Sequence, residues 1–291
     1  MSIIVSRLIG GLGNQMFQYA VARAIALRFD VELKLDISGF ADYPLRRYEL
    51  DQFPISAKLA SIMDLSHFGL RHYQRSDWQH RLRRWITGRD WPVYREPQFN
   101  FDPLAKQLHP PIYLDGYWQS EQYFIDFADI LRREFTPQAP LEPENQDIAD
   151  LIDSVNAVSL HIRRGDYVGN AHTSQYHGTC TLDYYQAAMD HIAGQVASPH
   201  FFVFSDELDW ARAHLHCHFP MTFVNANSPE RGYRDMQLMS RCRHHIVANS
   251  SFSWWGAWLN PKQEKIVVAP KKWFNTGLDT RDLVPDAWIR I

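Results

Sequence analysis

The sequence predicts an α/β protein with parallel sheets, and three patterns lead to that prediction. The first 35 residues read as a strand, a glycine-rich turn, a helix and a second strand, which together form a βαβ unit. Pro137, Pro140 and Pro143 then interrupt the chain with a linker-like composition. After them, short apolar runs alternate regularly with helical patterns, as in a parallel sheet wrapped by helices. We therefore predict two domains, residues 1–140 and residues 141–291.

The spacing of apolar residues predicts each element in turn. Residues 3–9 form an apolar run, and from Met16 onward apolar residues recur at helical spacing. Residues 31–35 resume an extended pattern, whereas residues 52–111 have broken periodicity and are expected to form helices and irregular loops. The proline cluster is expected to interrupt any regular element. In the second half, strands are predicted at 157–162, 201–204, 221–224, 245–248 and 265–268, and helices at 182–196, 208–214, 233–242 and 253–259.

The composition argues against several classes of protein. A formal net charge of -3 over 291 residues gives no global attraction to nucleic acid, so no nucleic-acid partner is expected. The three cysteines form no close pair, which favours a reducing compartment. Because no window approaches the ~18 apolar residues of a membrane-spanning helix, we expect a cytoplasmic protein. No Asp-x-Asp and no cluster with metal-ligand spacing occurs, so we predict no metal site and expect arginine to neutralise any phosphate.

The first candidate site is the glycine loop at residues 10–15 (GGLGNQ), between the first strand and the first helix. Free N–H groups at a helix N-terminus can bind an anion or a polar ligand. The loop lacks the third glycine of the dinucleotide-binding fingerprint. A tight turn with Asn14 as the helix N-cap is about as well supported by the pattern, so both interpretations stay open.

The second candidate site contains two adjacent arginines at the end of a predicted strand (residues 159–166, SLHIRRGD). Charges so close to a buried strand need partners. Because side chains alternate along an extended chain, either Arg163 or Arg164 could bind a diphosphate while the other forms a salt bridge with Asp166. A purely structural arginine–aspartate pair is the alternative.

The third candidate site is the polar turn at residues 248–253 (ANSSFS), before a tryptophan-rich helix. Small donors at a helix N-terminus suit a phosphate group, and simple capping by Ser251 or Ser253 is the alternative. Asp206 and Asp235 complete the set, because a carboxylate can accept hydrogen bonds from guanine or ribose. Each could equally be a favourable charge at the start of a helix.

Two further segments are less specific. His172 and His177 lie in a polar loop that could close over a site and supply a base near neutral pH, although a loop histidine is more often merely solvated. Residues 71–95 hold seven Arg and two Asp among three Trp, a composition that could contact a membrane surface or a nucleic acid. We favour a solvated face or an acceptor-side surface for this stretch.

Four segments make the sequence resemble the bacterial-type α-1,2-fucosyltransferases of glycosyltransferase family 11. They are residues 10–20 (GGLGNQMFQYA), 161–168 (HIRRGDYV), 204–206 (FSD) and 235–259. The arginine motif is shared with α-1,6- and protein O-fucosyltransferases, whereas the first segment and the SSFSWW segment are more specific. The resemblance implies a GT-B-type α/β fold, with an N-terminal acceptor-side domain and a C-terminal GDP-fucose domain, both Rossmann-like, facing a cleft.

The resemblance also implies a chemistry. L-fucose would move from GDP-β-L-fucose to the 2-hydroxyl of a β-galactoside with inversion, in one displacement without a covalent enzyme intermediate and without a metal. GDP-fucose is then a co-substrate, a galactose-containing glycan is the acceptor, and no cofactor is expected. Unlike the vertebrate relatives, this sequence is expected to have no membrane anchor, so any contact with the cytosolic face of a membrane is expected to be peripheral.

Roles for individual residues follow from the same resemblance. Arg163 would bind the β-phosphate, and Asn14 would reach the fucose from the first domain. Asp166 is the first choice as catalytic base, although a salt bridge to arginine would lower its pKa, and His177 is the second choice. His161 and Asp235 would bind the guanosine, and Ser250 and Ser251 the diphosphate. The donor-binding set is Gly11, Gly13, His161, Arg164, Asp206, Asp235, Asn249, Ser250 and Ser251.

Two alternative functions stay open. A fucosyltransferase of another linkage, α-1,6 or peptide O-linked, would share the arginine motif and the donor. A non-catalytic glycan- or nucleotide-binding module would bind without turnover, although the presence of Asn14 beside both donor motifs argues against it.

Overall fold

The structure, a computed structural model, describes residues 2–41, 46–70, 91–164 and 178–291. The chain folds as two compact units. Unit 1 is Met1–Phe135 with Arg281–Leu283, and unit 2 is Thr136–Thr280 with Val284–Ile291. Each unit has its own parallel sheet, which confirms the predicted α/β class with two Rossmann-like units. The cleft between them and the domain boundary at residue 140 stay predictions.

Unit 1 is built on a parallel sheet in the order β3-β2-β1-β5-β4. Residues 52–111, predicted to form helices and loops, also contribute the strands β3 and β4. These strands have two and three residues, too few for a period-2 pattern to be visible in the sequence. The strands are β1 Ile3–Arg7, β2 Glu32–Asp36, β3 Lys58–Leu59, β4 Val93–Arg95 and β5 Ile112–Asp115. The helices are α1 Leu12–Phe29, α2 Ile62–Ser66 and α3 Ala128–Glu134.

The glycine loop turns β1 into helix α1. Gly10 has a φ of 77°, in the left-handed region that glycine tolerates best, and a Cβ at that position would meet the Asn14 side chain at 2.6 Å. Gly11 is the N-cap residue and Asn14 lies inside the first turn, so the N-cap interpretation of Asn14 is wrong. The helix is buried on most of its surface and ends at Asp30, which has a φ of 50°.

Unit 2 has a sheet in the order β11-β10-β9-β6-β7-β8, again with parallel pairing. When these strands are numbered from the first in unit 2, the order is the Rossmann order 3-2-1-4-5-6 read from the opposite edge. The strands are β6 Asn156–Ile162, β7 Pro199–Ser205, β8 Met221–Phe223, β9 His244–Ile246, β10 Val267–Ala269 and β11 Ile289–Arg290. The helices are α4 Pro143–Ser154, α5 Leu182–Ala193, α6 Leu208–His214, α7 Gly232–Arg241 and α8 Ser251–Leu259.

The proline cluster does not exclude regular structure, contrary to the expectation. Pro143 is the first residue of α4, a position where its missing N–H is not needed for a helical hydrogen bond. The segment before α4 is held by Arg234, which is 1% exposed and donates to the carbonyl oxygens of Ala139 at 3.1 Å and Pro140 at 2.7 Å. The prolines therefore begin unit 2 in a fixed path.

A buried polar network joins the two central strands of unit 2. Ser159 on β6 lies in register with His245 on β9, and its hydroxyl is 2.8 Å from His245 Nδ1. Asn260, just after α8, donates from Nδ2 to His245 Nε2 at 2.9 Å. Because Nε2 accepts this hydrogen bond, the imidazole proton is on Nδ1 and is donated to Ser159. The three side chains hold β6 and β9 together from inside the core.

Candidate active site

The strand order of unit 2 marks where a ligand should bind. In an open parallel sheet, ligands bind beyond the carboxyl ends of the strands, at the point where the order of connection reverses. In unit 2 this point lies between β6 and β9, which are neighbours in the sheet but are separated along the chain by β7 and β8. Arg163 follows the end of β6, and the turn at residues 248–253 follows β9. Two of the predicted motifs therefore meet at this switch point.

Asp206 holds the arginine motif in place. Its Oδ2 is 3.3 Å from Arg163 Nη1, and its Oδ1 accepts the backbone N–H of Arg164 at 3.0 Å. Asp206 follows β7, the strand paired with β6, so the two chain segments leave the sheet side by side. The predicted partner of these arginines, Asp166, lies outside the described residues. A salt bridge from either arginine to Asp166 stays a prediction.

Arg164 is held by two side chains of unit 2. Its Nε is 3.3 Å from Glu207 Oε2, and its guanidinium carbon lies 3.7 Å from the centre of the Trp210 ring. A guanidinium over an indole face gains a cation–π attraction in addition to the ion pair. Both adjacent arginines are therefore oriented by side chains that follow β7.

His161 is buried beside the arginines and is uncharged. Its side chain is 5% exposed, and burial, with a smaller effect of the Arg163 charge, lowers the pKa of the imidazole to about 3. The ring packs against Phe252 of α8 at a centroid distance of 5.4 Å. Within the described residues, Nδ1 has no hydrogen-bond partner. A buried ring nitrogen without a partner costs free energy, which a bound polar ligand would remove.

The serine turn presents the N-terminus of α8 at the same switch point. Ser250 is the N-cap residue and makes no side-chain capping hydrogen bond. Ser253 Oγ instead accepts from the Ala248 N–H at 3.2 Å, so the interpretation of Ser251 or Ser253 as a simple cap is wrong. The Asn249 amide donates to the carbonyl oxygens of Gly178 and Trp273 at 3.2 and 3.1 Å, which fixes the turn. These bonds leave Ser250 and Ser251 as the hydroxyl donors at the start of the helix.

Asp235 lies in the first turn of α7, which follows β8 at the carboxyl edge of the sheet. It accepts a hydrogen bond from Asn227 Nδ2 at 2.7 Å. Burial raises the pKa of the carboxyl to about 6, and the Asn227 hydrogen bond opposes this effect. A carboxylate with this elevated pKa is more costly to keep ionised, and a ligand with N–H or O–H donors would stabilise it.

A cavity that was not predicted from the sequence lies beside these groups. It has a volume of about 570 Å³ and lies at the carboxyl ends of β7 and β8. Asp206 is the one lining residue that was predicted as a site residue, and the position of Glu207 and Asn225 just after strands was the signal available for finding others. The cavity is lined by Asp206, Glu207, Leu208, Asp209, Trp210, Arg212 and Asn225.

In unit 1, the glycine loop is supported by other side chains of the same unit. The Asn14 Oδ1 accepts a hydrogen bond from Gln119 Nε2 at 2.7 Å, and Gly11 lies beside the Arg46 guanidinium. The Glu49 N–H donates to Gln15 Oε1 at 2.9 Å, which joins residue 49 to the first turn of α1. Gly13 is buried in the first turn of α1.

Three of the predicted features lie outside the described residues, wholly or in large part. They are the base candidates Asp166 and His177, the loop histidine His172, and residues 71–90 of the basic aromatic stretch. Within the described ranges, no group of His, Cys, Asp or Glu is arranged to hold a metal ion. No described helix is both long enough and apolar enough to span a bilayer.

Comparison with known proteins identifies the family. The model of glycosyl transferase family 11 matches residues 3–291. The chain belongs to glycosyl transferase family 11. This confirms the predicted family, and glycosyltransferase activity follows from it at the level of the reaction type.

Three relatives of this family 11 chain are informative. An alpha-1,2-colitosyltransferase of Escherichia coli is 35% identical over 301 residues, covering 100% of this chain and 99% of that protein. The O-antigen biosynthesis glycosyltransferase WbnK of Escherichia coli is 35% identical over 315 residues, covering 98% and 99%. The galactoside 2-alpha-L-fucosyltransferase SEC1 of Bos taurus is 25% identical over 260 residues, covering 86% of this chain and 62% of that protein.

Proposed function

We propose that this glycosyltransferase transfers L-fucose from GDP-β-L-fucose to the 2-hydroxyl of a β-galactoside, with inversion at the sugar carbon. The observation that carries the proposal is the cationic group at the switch point of unit 2, where Arg163 is held by Asp206 beside the N-terminus of α8. That arrangement suits a diphosphate. The α-1,2 linkage and the fucosyl donor are supported by the names of family relatives.

The chemistry requires charge stabilisation on the leaving group. As the bond between the sugar carbon and the β-phosphate oxygen breaks, its electron pair leaves with GDP. Negative charge then grows on the diphosphate, and fixed donors that bind it more strongly at that stage lower the barrier. Arg163 and the N–H groups at the start of α8 are such donors. In this proposal the guanidinium supplies the positive charge, so the transfer is metal-independent and needs no cofactor.

The guanosine would bind at the same edge of the sheet. His161 has an unused Nδ1 among the described residues, and Asp235 has a carboxyl that donors would stabilise. Guanine offers both acceptors and an N–H pair, and ribose offers hydroxyls. We propose a cytoplasmic location and at most peripheral contact with a membrane. The other predicted classes, a transferase of another linkage or a non-catalytic module, become outcomes of the assay.

A colitosyl donor is the second candidate, because an α-1,2-colitosyltransferase is 35% identical across this whole chain. Colitose is L-fucose without the 3-hydroxyl. A site that hydrogen-bonds this hydroxyl rejects the deoxy sugar strongly, whereas a site that only packs against the ring discriminates poorly. The ratio of kcat/KM for the two donors therefore measures whether the protein contacts the 3-hydroxyl.

The test is a donor comparison in the presence of EDTA. Purified protein is incubated with lactose and either GDP-fucose or GDP-colitose, GDP release is measured, and the product linkage is determined by NMR. We expect an α-1,2-linked product with GDP-fucose as the preferred donor. Preference for GDP-colitose would select the second candidate, and a product of another linkage would replace the acceptor assignment. Binding of donor without turnover on any β-galactoside would support the non-catalytic module.

An arginine pair supplies the matched control. Arg163→Ala should lower kcat/KM on the order of 10²-fold, since charge-assisted hydrogen bonds are worth about 1.5–3 kcal/mol each. Arg241 is the last residue of α7, just before the amino end of β9, and pairs with Asp153 of α4. Arg241→Ala removes this arginine from the same unit. It should leave kcat/KM within about twofold, in the range typical of surface ion pairs. Equal effects of the two substitutions would contradict the role of Arg163.

A further inference from the structure

Unit 1 has a switch point of its own. In its sheet, β1 pairs with β2 on one side and with β5 on the other, so the loops after β1 and β5 leave the sheet in different directions. This is where a ligand of unit 1 should bind. Three segments follow the carboxyl ends of strands at this edge of the sheet: the glycine loop after β1, residues 116–119 after β5, and Glu96 directly after β4.

Glu96 is fixed across the loop that follows β5. Its Oε2 accepts the N–H of Tyr117 at 2.7 Å, and its Oε1 accepts the N–H of Trp118 at 3.0 Å. Trp118 is fully buried and has a φ of 58°, so the backbone is strained at that residue. Gly116 lies against the carboxylate, since a Cβ there would be 2.8 Å from Glu96 Oε2. The loop is thus shaped around this one side chain.

Glu96 differs from the neighbouring carboxylate on the same edge. Asp115, at the end of β5, pairs with Arg7 at 3.0 Å and with Arg95 at 3.4 Å. In the described part of the chain Glu96 has hydrogen bonds from backbone N–H groups and no ion pair. Each carboxylate oxygen has two lone pairs, so each can accept a second hydrogen bond.

The electrostatic surroundings favour proton uptake by Glu96 near neutral pH. Burial raises the pKa of its carboxyl to about 7, and the two backbone hydrogen bonds lower it by less. The titratable or charged groups on the elements around Glu96 are Arg7, Tyr94, Arg95, Asp102, Asp115 and Tyr123.

The same edge carries groups that suit a sugar. Tyr117 is 41% exposed, and an aromatic ring can pack on the C–H face of a galactose. Gln119 is held by Asn14, which joins the loop after β5 to the first turn of α1. Gln18 donates from Nε2 to Gly116 O at 3.2 Å and accepts the Ile9 N–H at 2.9 Å, which ties the two loops together. The edge is therefore rigid and partly exposed.

We propose that Glu96 is the catalytic base, binding the acceptor sugar hydroxyl and taking its proton. The inference rests on the proposed function. In the step, the acceptor O–H proton moves to a Glu96 oxygen while the acceptor oxygen bonds to the donor sugar carbon. The bond from that carbon to the β-phosphate oxygen breaks, and its electron pair leaves with GDP. Glu96 then returns the proton to solvent.

The test is the pH profile of kcat for wild type and Glu96→Gln. Wild-type kcat should fall as pH drops below about 7, because the base must be ionised to accept the proton. Glu96→Gln should lower kcat about 10²- to 10⁴-fold, the usual contribution of a general base, and remove this acidic limb. The KM for the donor and the slow hydrolysis of donor in the absence of acceptor should change less than about twofold.

Two more variants separate catalysis from folding, because a glutamine amide cannot accept both backbone hydrogen bonds. Glu96→Ala should regain kcat when formate is added, since a small carboxylate can replace the missing base. Asp115→Asn, the matched control at the same edge, should keep the acidic limb and show no response to formate.

The inference is overturned if wild type transfers the sugar and Glu96→Gln keeps the acidic limb, or if formate does not rescue Glu96→Ala. Either result would leave the proposed function standing. No transfer by wild type with either donor would overturn both.

Discussion

The buried histidine of β9, His245, allows a quantitative test of how the central sheet of unit 2 is stabilised. His245→Phe keeps a ring of similar size, so the loss of packing is small. It removes the acceptor of Asn260 and the donor to Ser159, at 2.9 and 2.8 Å, inside the core. Leaving a buried polar group unpaired costs about 1–3 kcal/mol. Asn260 keeps its hydrogen bond to Cys242 O at 2.9 Å. Ser159 is therefore the one group left unpaired, which predicts a loss of roughly 1–3 kcal/mol in the free energy of unfolding.

A second substitution checks the assignment of this cost. Adding Ser159→Ala to His245→Phe removes the unpaired hydroxyl, and replacing both partners of a hydrogen bond by apolar groups can be nearly neutral. The double variant should therefore recover about 1–2 kcal/mol relative to His245→Phe. Urea unfolding at pH 7.5, followed by circular dichroism, measures all three proteins. A double variant less stable than His245→Phe would refute the reasoning.

The same histidine predicts a pH dependence with a definite sign. Burial lowers the pKa of His245 well below 6.5 in the folded protein, so below that pH the unfolded chain binds a proton that the folded chain does not. Stability is therefore full above pH 6.5 and is lost as pH falls. His161, whose pKa burial lowers to about 3, adds a loss of the same sign, which is about 2 kcal/mol at pH 5 from 1.5 pH units at about 1.36 kcal/mol each.

His245→Phe should then lose less stability than wild type between pH 7.5 and pH 5, because the contribution of one of the two histidines is gone. Unfolding by urea at the two pH values gives the comparison directly. Equal losses in wild type and variant would mean that His245 is not the neutral, buried group described here.

Two further substitutions test the candidate sites. Gly116→Ala places a Cβ 2.4 Å from Glu96 Cβ, so it should lower stability by about 1–3 kcal/mol and slow acceptor-dependent turnover. Gly277→Ala, whose Cβ would have nothing within 4 Å, should change neither property. Thermal denaturation measures the stability, and kcat with lactose measures the turnover. Asp235→Asn removes a carboxyl whose raised pKa of about 6 makes ionisation costly at pH 7.5, so it should increase thermal stability at that pH while weakening GDP binding about tenfold by calorimetry. A variant that is both less stable and equally tight in binding would contradict that account of Asp235.

Four strands of unit 2 could be predicted from the sequence because most of their residues are buried, namely β6, β7, β9 and β10. The strand predicted at residues 157–162 is β6, and its apolar run differs from the structure by one residue. β5 in unit 1 has four residues, of which Ile112 to Leu114 are buried, but nothing around it alternates. β3 and β11 have two residues each and exist only because a longer strand pairs with them. Pairing of this kind depends on residues far apart in the sequence and leaves no local pattern.

The candidate site residues also differ in whether the sequence alone could predict them. Arg163 and Ser250 were predictable because polar residues directly after a buried strand have few reasons to be there except a partner or a ligand. The contacts of Asp206 with Arg163 and Arg164 were not predictable, because they depend on the pairing of β6 with β7. Glu96 gave no signal at all, since its partners Tyr117 and Trp118 are about 20 residues further along the chain.

The charges at the two switch points are of opposite kind, and this fits the chemistry of sugar transfer. In unit 2, Arg163 and Arg164 are already oriented by Asp206 and Glu207, so binding a diphosphate does not have to order two loose side chains. Cations held in this way stabilise a leaving group that gains negative charge. In unit 1, Glu96 is oriented by backbone N–H groups without a neutralising ion pair in the described residues, which preserves its basicity. An ion pair that orients a cation leaves it charged, whereas an ion pair to a base would lower its pKa. The two sites therefore need different supports, and each has the kind that its charge requires.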